Sequence, residues 1–476
     1  MKITEILNTE DVNEIVKKLT SLKPDDYEKK LKALKNEWDV NTHRVMIDKI
    51  FLPDKEIKDA AGQVVGLKKV NRIAIPYQKM IVNRAVAFGF ANDVQIEHNA
   101  GKDKPMNEVV NAIKRVLFEN KETTFNRKIA RNMYRSKEVA EIWYFQKVED
   151  HERYGFKTSY KIKCMMVSPW TSDTLYPIFD DYGDMIAFAR QTLTNVEGKT
   201  TPTVEVWTDT DYVRYVKAAN SWEITQQDKS FINKIPVVYG TQDIAEWEDV
   251  KYDIERLELL FSKHAEINDY HASPKTFVKG EVKSMPQAGE ANPILKGEDN
   301  SDIKILSWEH SPDSVKLEIE TRLENIHKFT QTADISFKSI KAMNQISGVM
   351  LKMLFMDVQL KIMEKNEIWD EYFTRRYNVV KSMLSYLNKS FETPSTNLEM
   401  SPVIRPFMID DVKDLVDTLM TANGNQPIIS RKRAIELSGL SEDAEEELKV
   451  ILKEEEDIAN ADASEPTGTD EIPSAA

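Results

Sequence analysis

The sequence predicts an α+β chain, and three observations carry that prediction. Two amphipathic helical patterns between residues 244 and 333 flank an insert broken by Pro274, Gly280, Pro286, Gly289, Pro293 and Gly297. Residues 140–238 switch to a two-residue period, the signature of half-buried strands. Residues 349–387 then read as one apolar helix, far longer than the usual ~10–14 residues.

Taken in order, residues 10–38 carry two short helical patterns, the second opened by Pro24-Asp25-Asp26 and ending near Trp38. Asn71 to Tyr77 passes from an extended segment into a helix bearing Met80, Ile81, Val82, Ala85, Val86 and Phe88, and Gly89 breaks it. Further helices are expected over 106–118 and 125–136. The runs 141–145, 161–167, 185–191, 203–208 and 212–216 are strand-like, with a turn at Asp180-Asp181-Tyr182-Gly183-Asp184, and predict one meandering antiparallel sheet.

Lys234-Ile235-Pro236-Val237-Val238-Tyr239 leads into the helix pair. In the first helix Trp247, Val250, Ile254, Leu257 and Phe261 recur at steps of three and four, so one seam is apolar. Ser311-Pro312 supplies an N-cap and a proline at the first helical position for the second helix, which carries Val315, Ile319, Leu323, Ile326 and Ala333. The pair reads as a hairpin with a small β module at its tip, 276–279 and 303–308 being β-like. In the long helix Leu351, Leu354, Phe355, Val358, Ile362, Trp369, Phe373 and Val380 run around much of the circumference, which requires neighbours on several sides. Beyond Pro394 come an extended piece at 403–407, helices over 410–421 and 431–437, an acidic helix over 441–457 and a disordered tail over 458–476.

Composition narrows the function classes. The chain has 476 residues, 41% hydrophobic and 30% charged, which suits globular cores, and no apolar run reaches membrane-spanning length. The N-terminus lacks an apolar signal core, so synthesis inside the cell is expected. A single cysteine, Cys164, excludes an internal disulfide. Residues 441–476 hold 13 acidic and two basic residues (net −11), which leaves −3 of the chain's −14 for residues 1–440. That balance argues against a sequence-specific DNA binder but permits a conduit that DNA crosses without sticking.

Catalytic and metal chemistry find no foothold. Gly62-Gln63-Val64-Val65-Gly66-Leu67-Lys68 has the wrong spacing for a phosphate loop. The seven histidines are scattered; His264 and His271, seven apart, are the nearest approach to a metal pair. Asp180-Asp181 and Asp410-Asp411 read as a turn and a helix start. No catalytic residue, metal ligand or cofactor is assigned.

The order of Ile75-Pro76-Tyr77-Gln78-Lys79-Met80-Ile81-Val82, the meander with Val206-Trp207-Thr208, Ile235-Pro236-Val237-Val238, the helix at 247–270, Ser347-Gly348-Val349, and Pro427-Ile428-Ile429-Ser430 before an acidic helix resembles the portal, or head-to-tail connector, proteins of tailed bacteriophages. The resemblance covers residues 25–457. Each motif is weak alone; order and spacing together are specific. Met350, where a smaller residue is usual, and a short C-terminal region depart from the pattern.

The resemblance implies a portal fold assembled as a ring at one capsid vertex: a helical and β wing (1–245), stem helices (246–272 and 311–333), a small α/β clip (273–310), a tunnel loop (334–348), a long spine helix with wing return (349–409), a helical crown (410–457) and the acidic tail. It further implies a homododecamer through whose channel double-stranded DNA passes without sequence preference. The implied partners are the terminase large subunit, the major capsid and scaffolding proteins and a head-tail adaptor, with no membrane, and the destination is the virion after synthesis in the host cytoplasm. Trp247, Val250, Ile254, Leu257 and Phe261 are then expected to form the stem contact between subunits, and Lys275, Lys279, Lys283 and Lys296 to meet partners at the clip. In the tunnel loop Ser336, Lys338, Ser339, Lys341, Asn344 and Gln345 are expected to face DNA, the two lysines giving a sequence-blind phosphate contact. The alternatives left open are a ring adaptor or scaffold that does not conduct DNA, an enzyme of a kind not recognised, and lysines that serve only subunit contacts.

Overall fold

The computed structural model describes residues 11–196, 198–219, 221–271, 275–279, 282–284, 296–297, 302–306, 312–334, 353, 355–406, 430–438 and 444–462. The chain divides into two units, one of residues 1–344 and 353–408 and one of residues 345–352 and 409–476.

In the larger unit helices α1 (Val12–Thr20), α2 (Tyr27–Trp38) and α3 (Arg44–Ile47) precede a hairpin of β1 (Lys55–Lys58) and β2 (Val64–Lys68). The glycine-containing run at 62–68 belongs to this hairpin, with Gly62 in the left-handed turn (φ +80°). Then follow α4 (Tyr77–Gly89), β3 (Gln95–His98), α5 (Lys104–Glu119) and α6 (Glu122–Ser136). Asp103 caps α5 by accepting from the Met106 amide, and a proline occupies its first turn.

The strand region differs from expectation in being two sheets. Strands β4 (Glu138–His151), β5 (Thr158–Val167) and β11 (Val237–Thr241) form one, in the order β11-β4-β5. Strands β6 (Thr174–Phe179), β7 (Met185–Val196), β8 (Lys199–Thr208), β9 (Asp211–Ala218) and β10 (Ser221–Lys229) form the other, a five-stranded meander. Alternation identifies a strand's buried face but not its sheet. What separates the two is the 3-10 turn Pro169–Thr171, where Ser168 caps the Trp170 amide and Ser172 takes a left-handed φ of 70°. The Asp180 turn is as expected: its carboxylate accepts from the amides of Tyr182 and Asp184.

Helix α7 (Lys251–His271) opens the helix pair after a 3-10 turn at Glu248–Val250, and α8 (Pro312–Phe329) returns. Between them β12 (Lys275–Lys279) pairs with β15 (Asp302–Leu306), and β13 (Val282–Ser284) with β14 (Lys296–Gly297), all antiparallel. Just past the end of α8, Gln331 is left-handed at φ 50°, and the Thr332 amide bonds back to the His327 carbonyl. Helix α9 (Met356–Leu387), 32 residues long, crosses the unit; α10 (Glu392–Asn397) and β16 (Met400–Val403) follow, β16 pairing with β3.

The main core gathers around α9, as its apolar circumference requires. Trp369, Tyr372, Phe373, Tyr377, Val380, Met383 and Leu384 are buried against α4, α5, α6 and the three-stranded sheet. Trp369 stacks on Phe373 at 5.7 Å and meets Phe90 edge-on at 5.0 Å. Each such side chain contributes roughly 1.5–3 kcal/mol through burial. Gly240 in β11 lets α9 approach: a Cβ there would lie 2.8 Å from Tyr372 Cδ2.

In the smaller unit α11 (Arg431–Ser438) and α12 (Ala444–Asp462) are joined by Arg431 to Glu455 at 2.6 Å and Lys432 to Glu445 at 3.5 Å. Helix α12 runs to Asp462, so the first five residues of the tail expected to be disordered are helical. The helix expected over 410–421 lies outside the described residues.

Candidate functional site

The helix pair is fastened to the body by polar contacts that the apolar periodicity does not reveal. His43 Nδ1 lies 2.6 Å from Glu258 Oε1, both buried, and the same carboxylate oxygen accepts from the Ile75 amide at 2.8 Å. One turn on, the buried Ser262 hydroxyl accepts from the Ile73 amide. The extended run before α4 thus bonds to side chains of α7 instead of to another strand. Trp247 Nε1 donates to Glu37 at 2.8 Å; burial raises the Glu37 pKa despite that bond and Lys251. Across the pair, Arg256 bonds Glu318 at 2.9 Å and Arg322 bonds Asp253 at 2.7 Å.

These contacts correct one expectation. Trp247, Val250, Ile254 and Leu257, expected to await a neighbouring subunit, are 0–1% exposed within the single chain, and Phe261 is half-buried against the same core. Periodicity shows that a face is covered but not which chain covers it. Here the cover is the chain's own, including Trp38 at 5.7 Å from Trp247.

A second cluster fixes the chain just before residue 335. Lys361 on α9 donates to the Thr330 carbonyl at 2.9 Å and pairs with Glu246 at 2.5 Å. Lys365, one turn on, reaches the other Glu246 oxygen at 2.7 Å. Burial opposes the Glu246 charge, but the two lysines overcome it and hold its pKa below the ordinary value. Arg84 on α4 donates to the Ala333 carbonyl at 2.9 Å. The end of α8 is therefore held by two helices where the expected tunnel segment begins.

The third cluster lies under α9. Arg376, fully buried, gives Glu141 two parallel bonds (2.8 and 2.7 Å) and a third to Asn126 Oδ1 at 2.6 Å. Trp143 Nε1 also donates to Glu141, at 3.0 Å, and Phe373 lies under the guanidinium at 4.6 Å. Burial opposes the Arg376 charge; Glu141, then Tyr372 and Glu122, outweigh it and raise the pKa. The cluster ties α9 to α6 and β4. Beside it, burial first and Glu141 second push the Cys164 thiol well above its usual range, which leaves it a poor nucleophile.

The sequence hint for these clusters was available: Lys361 and Arg376 are charged residues inside the apolar pattern of α9, where a buried charge demands a partner. Of the other expected site residues, Lys275 and Lys279 lie at the ends of β12, opposite Leu306 and Asp302, while Lys283 and Lys296 lie in the β13–β14 ladder. Ser336, Lys338, Ser339, Lys341, Asn344 and Gln345 lie outside the described residues. Among the described residues no helix is long and apolar enough to cross a membrane.

What this geometry offers is rigidity: its buried ions are matched within the chain, and the helix pair and its return are braced at both ends. The chain belongs to the phage portal protein family, of the SPP1 Gp6-like kind, whose model matches residues 13–461. No curated protein matches it. Among solved structures it is similar to chains in the neck of an empty gene transfer agent (GTA) particle computed with C6 symmetry (TM-score 0.38), the virion of a native GTA particle (0.36) and the neck of a native GTA particle computed with C12 symmetry (0.37). Each is 11% identical, over 77% of this chain and 89% of the other.

Proposed function

We propose that copies of this chain close into a dodecameric ring at one capsid vertex, through which double-stranded DNA is packaged and later ejected. In this reading the ring docks first the terminase large subunit and then a head-tail adaptor, and sits among the major capsid and scaffolding proteins. The family match carries the proposal, because it spans the chain from α1 through α12. A second feature supports assembly: Met356, Leu360 and Met363, spaced four and three along α9, are 54%, 50% and 67% exposed, an apolar stripe that a neighbouring copy would cover.

Lys338 and Lys341 remain the residues proposed to meet the passing phosphates, and Lys275, Lys279, Lys283 and Lys296 those proposed to meet partners. The test is imaging of the purified chain by negative-stain microscopy together with mass photometry. Twelve-membered rings with a hole wide enough for a duplex are expected; a monomer at micromolar concentration, or a ring closed at its centre, would overturn the reading. With rings in hand, Lys338→Glu plus Lys341→Glu is expected to slow or stop packaging while rings still form, measured as DNA length per particle.

A further inference from the structure

The turn between β6 and β7 holds an aromatic side chain out in solvent. Tyr182 is 94% exposed, and Phe179 at the base of the turn is 48% exposed. The turn itself is tightly tied. The Asp180 carboxylate accepts from the Tyr182 and Asp184 amides, both at 2.9 Å, and the Asp180 amide donates to the Asp184 carbonyl at 2.9 Å. Gly183 supplies the left-handed φ of 91° that closes it. Asp181 and Asp184 flank the tyrosine, both exposed, and neither has a cation within ion-pair distance among the described residues; Asp184 acts on Arg375 only at longer range. A tyrosine held this rigidly loses little entropy on being covered, which suits it to anchor an interface.

A cleft of about 950 Å³ opens elsewhere on the same unit, between the end of α5, the start of α6, β3 and β5. Val94, Ile96 and Leu117 line it, and Phe118 stands in it 72% exposed. Five cations line it too, Lys114, Lys121, Arg153, Lys161 and Lys163, against three acids. Those acids are engaged within the chain. Asp93 accepts from the Thr123 hydroxyl, Glu119 is bonded by His151 and Tyr154, and Glu122 lies 3.7 Å from the buried Arg376. Arg153 reaches Glu119 at 3.7 Å, whereas the four lysines make no ion pair among the described residues. Helix α6 starts here without a side-chain cap, so the positive end of its dipole adds to them.

The cleft is therefore apolar and basic where the turn is aromatic and acidic. Successive residues of α9 mark where the two lie: Arg375 feels Asp184 beside the turn, while Arg376, about 100° further round the helix, approaches Glu122 in the cleft. Turn and cleft thus sit at one level of α9 but on different flanks, and no residue of the turn lines its own chain's cleft.

We propose that the turn at 181–184 docks into this cleft of a neighbouring copy, with the Tyr182 ring against Phe118 and the two aspartates among the lysines. The inference rests on the ring reading and adds which surfaces meet. Two different surfaces of one chain that fit each other make a heterologous contact, the kind that closes into a ring. Like charge keeps turn from turn and cleft from cleft, so the contact has a single direction.

The experiment follows ring formation by the full chain against concentration, by mass photometry and negative-stain microscopy, with the urea midpoint as a check on folding. Tyr182→Ala is expected to raise the concentration at which rings form about tenfold, with no change in midpoint, because the side chain is exposed in the single chain. Asp181→Lys plus Asp184→Lys, and separately Lys114→Glu plus Lys121→Glu, set like charges across the contact and are expected to block rings. All four substitutions in one chain oppose unlike charges again and are expected to restore them. Wild-type rings alongside unimpaired rings in Tyr182→Ala and both charge-reversed pairs would overturn the contact and leave the ring reading standing; a wild type that stays monomeric would overturn both. Failure of the fourfold variant to recover, with its midpoint intact, would mean that turn and cleft meet other surfaces, and the proposal falls. Should a charge-reversed chain lose its midpoint, Tyr182→Ala and Phe118→Ser decide alone, and rings at the wild-type concentration in both would overturn the contact. If Lys114→Glu plus Lys121→Glu leaves rings intact but weakens binding of a short DNA duplex, the cleft serves a nucleic-acid backbone instead.

Discussion

Replacing Arg376 with methionine removes the charge that α9 carries into the core and keeps much of its volume. The consequence falls on what remains. Glu141, 0% exposed, loses two of its three side-chain hydrogen bonds and keeps only Trp143, and Asn126 Oδ1 loses its donor. Breaking a buried ion pair by deleting one partner costs about 3–5 kcal/mol, because the other charge stays desolvated. For a protein of this size that predicts a fall in the urea midpoint on the order of 1 M, followed by tryptophan fluorescence. Adding Glu141→Leu should restore part of the loss, since the double variant buries no unpaired charge. The coupling energy is expected to be about 1–3 kcal/mol. Lys157→Met supplies the contrast: it breaks the exposed pair with Asp150 at 2.7 Å and should leave the midpoint where it was. If Arg376→Met is as mild as Lys157→Met, or if the double variant loses the sum of the two singles, the cluster is not the brace described here.

Other perturbations test separate parts of the argument. Gly240→Ala forces a methyl group into Tyr372 and the Met133 sulfur, 3.2 Å away, and should cost about 1–3 kcal/mol in thermal or urea unfolding; an unchanged midpoint would mean that α9 can move off β11 freely. Leu257→Asp should unfold the single chain, by several kcal/mol, before any effect on assembly, because it buries an unpaired carboxylate in the chain's own core; a folded monomer by circular dichroism would return this seam to the subunit contact. The Glu119 carboxyl is opposed by burial but held below its usual pKa by His151, with Lys161 and Tyr154 behind it. Its contribution is therefore complete above the unfolded value of about 4.3 and lost as pH falls through the lower folded value, so Glu119→Gln should flatten the acid limb of the stability curve; equal deficits at pH 6 and pH 3 would contradict this. Peroxide should oxidise Met356 and Met363 several-fold more slowly in assembled rings than in dissociated chain, with buried Met133 and Met383 slow in both; equal rates would place the subunit contact elsewhere.

Periodicity was enough to place both helices of the pair, the long α9 and most strands, because each buries one face against something. It could not say against what. The stripe from Trp247 to Phe261 has the same spacing whether the covering surface belongs to the chain or to a neighbour, and only the packing of Trp38 and the His43–Glu258 contact decides between them. The division of the strands into two sheets was hidden for a related reason: Ser168 and Ser172 set the break, and neither disturbs the alternation around it.

Charged residues within α9 were the unread signal. Lys361, Lys365 and Arg376 interrupt an apolar helix at positions that face inward, and each is matched by an acid distant in sequence, Glu246 or Glu141. No local pattern predicts such a pairing, since its partners are 115, 119 and 235 residues away. Yet a charge on the buried face of a helix already implies that a partner exists.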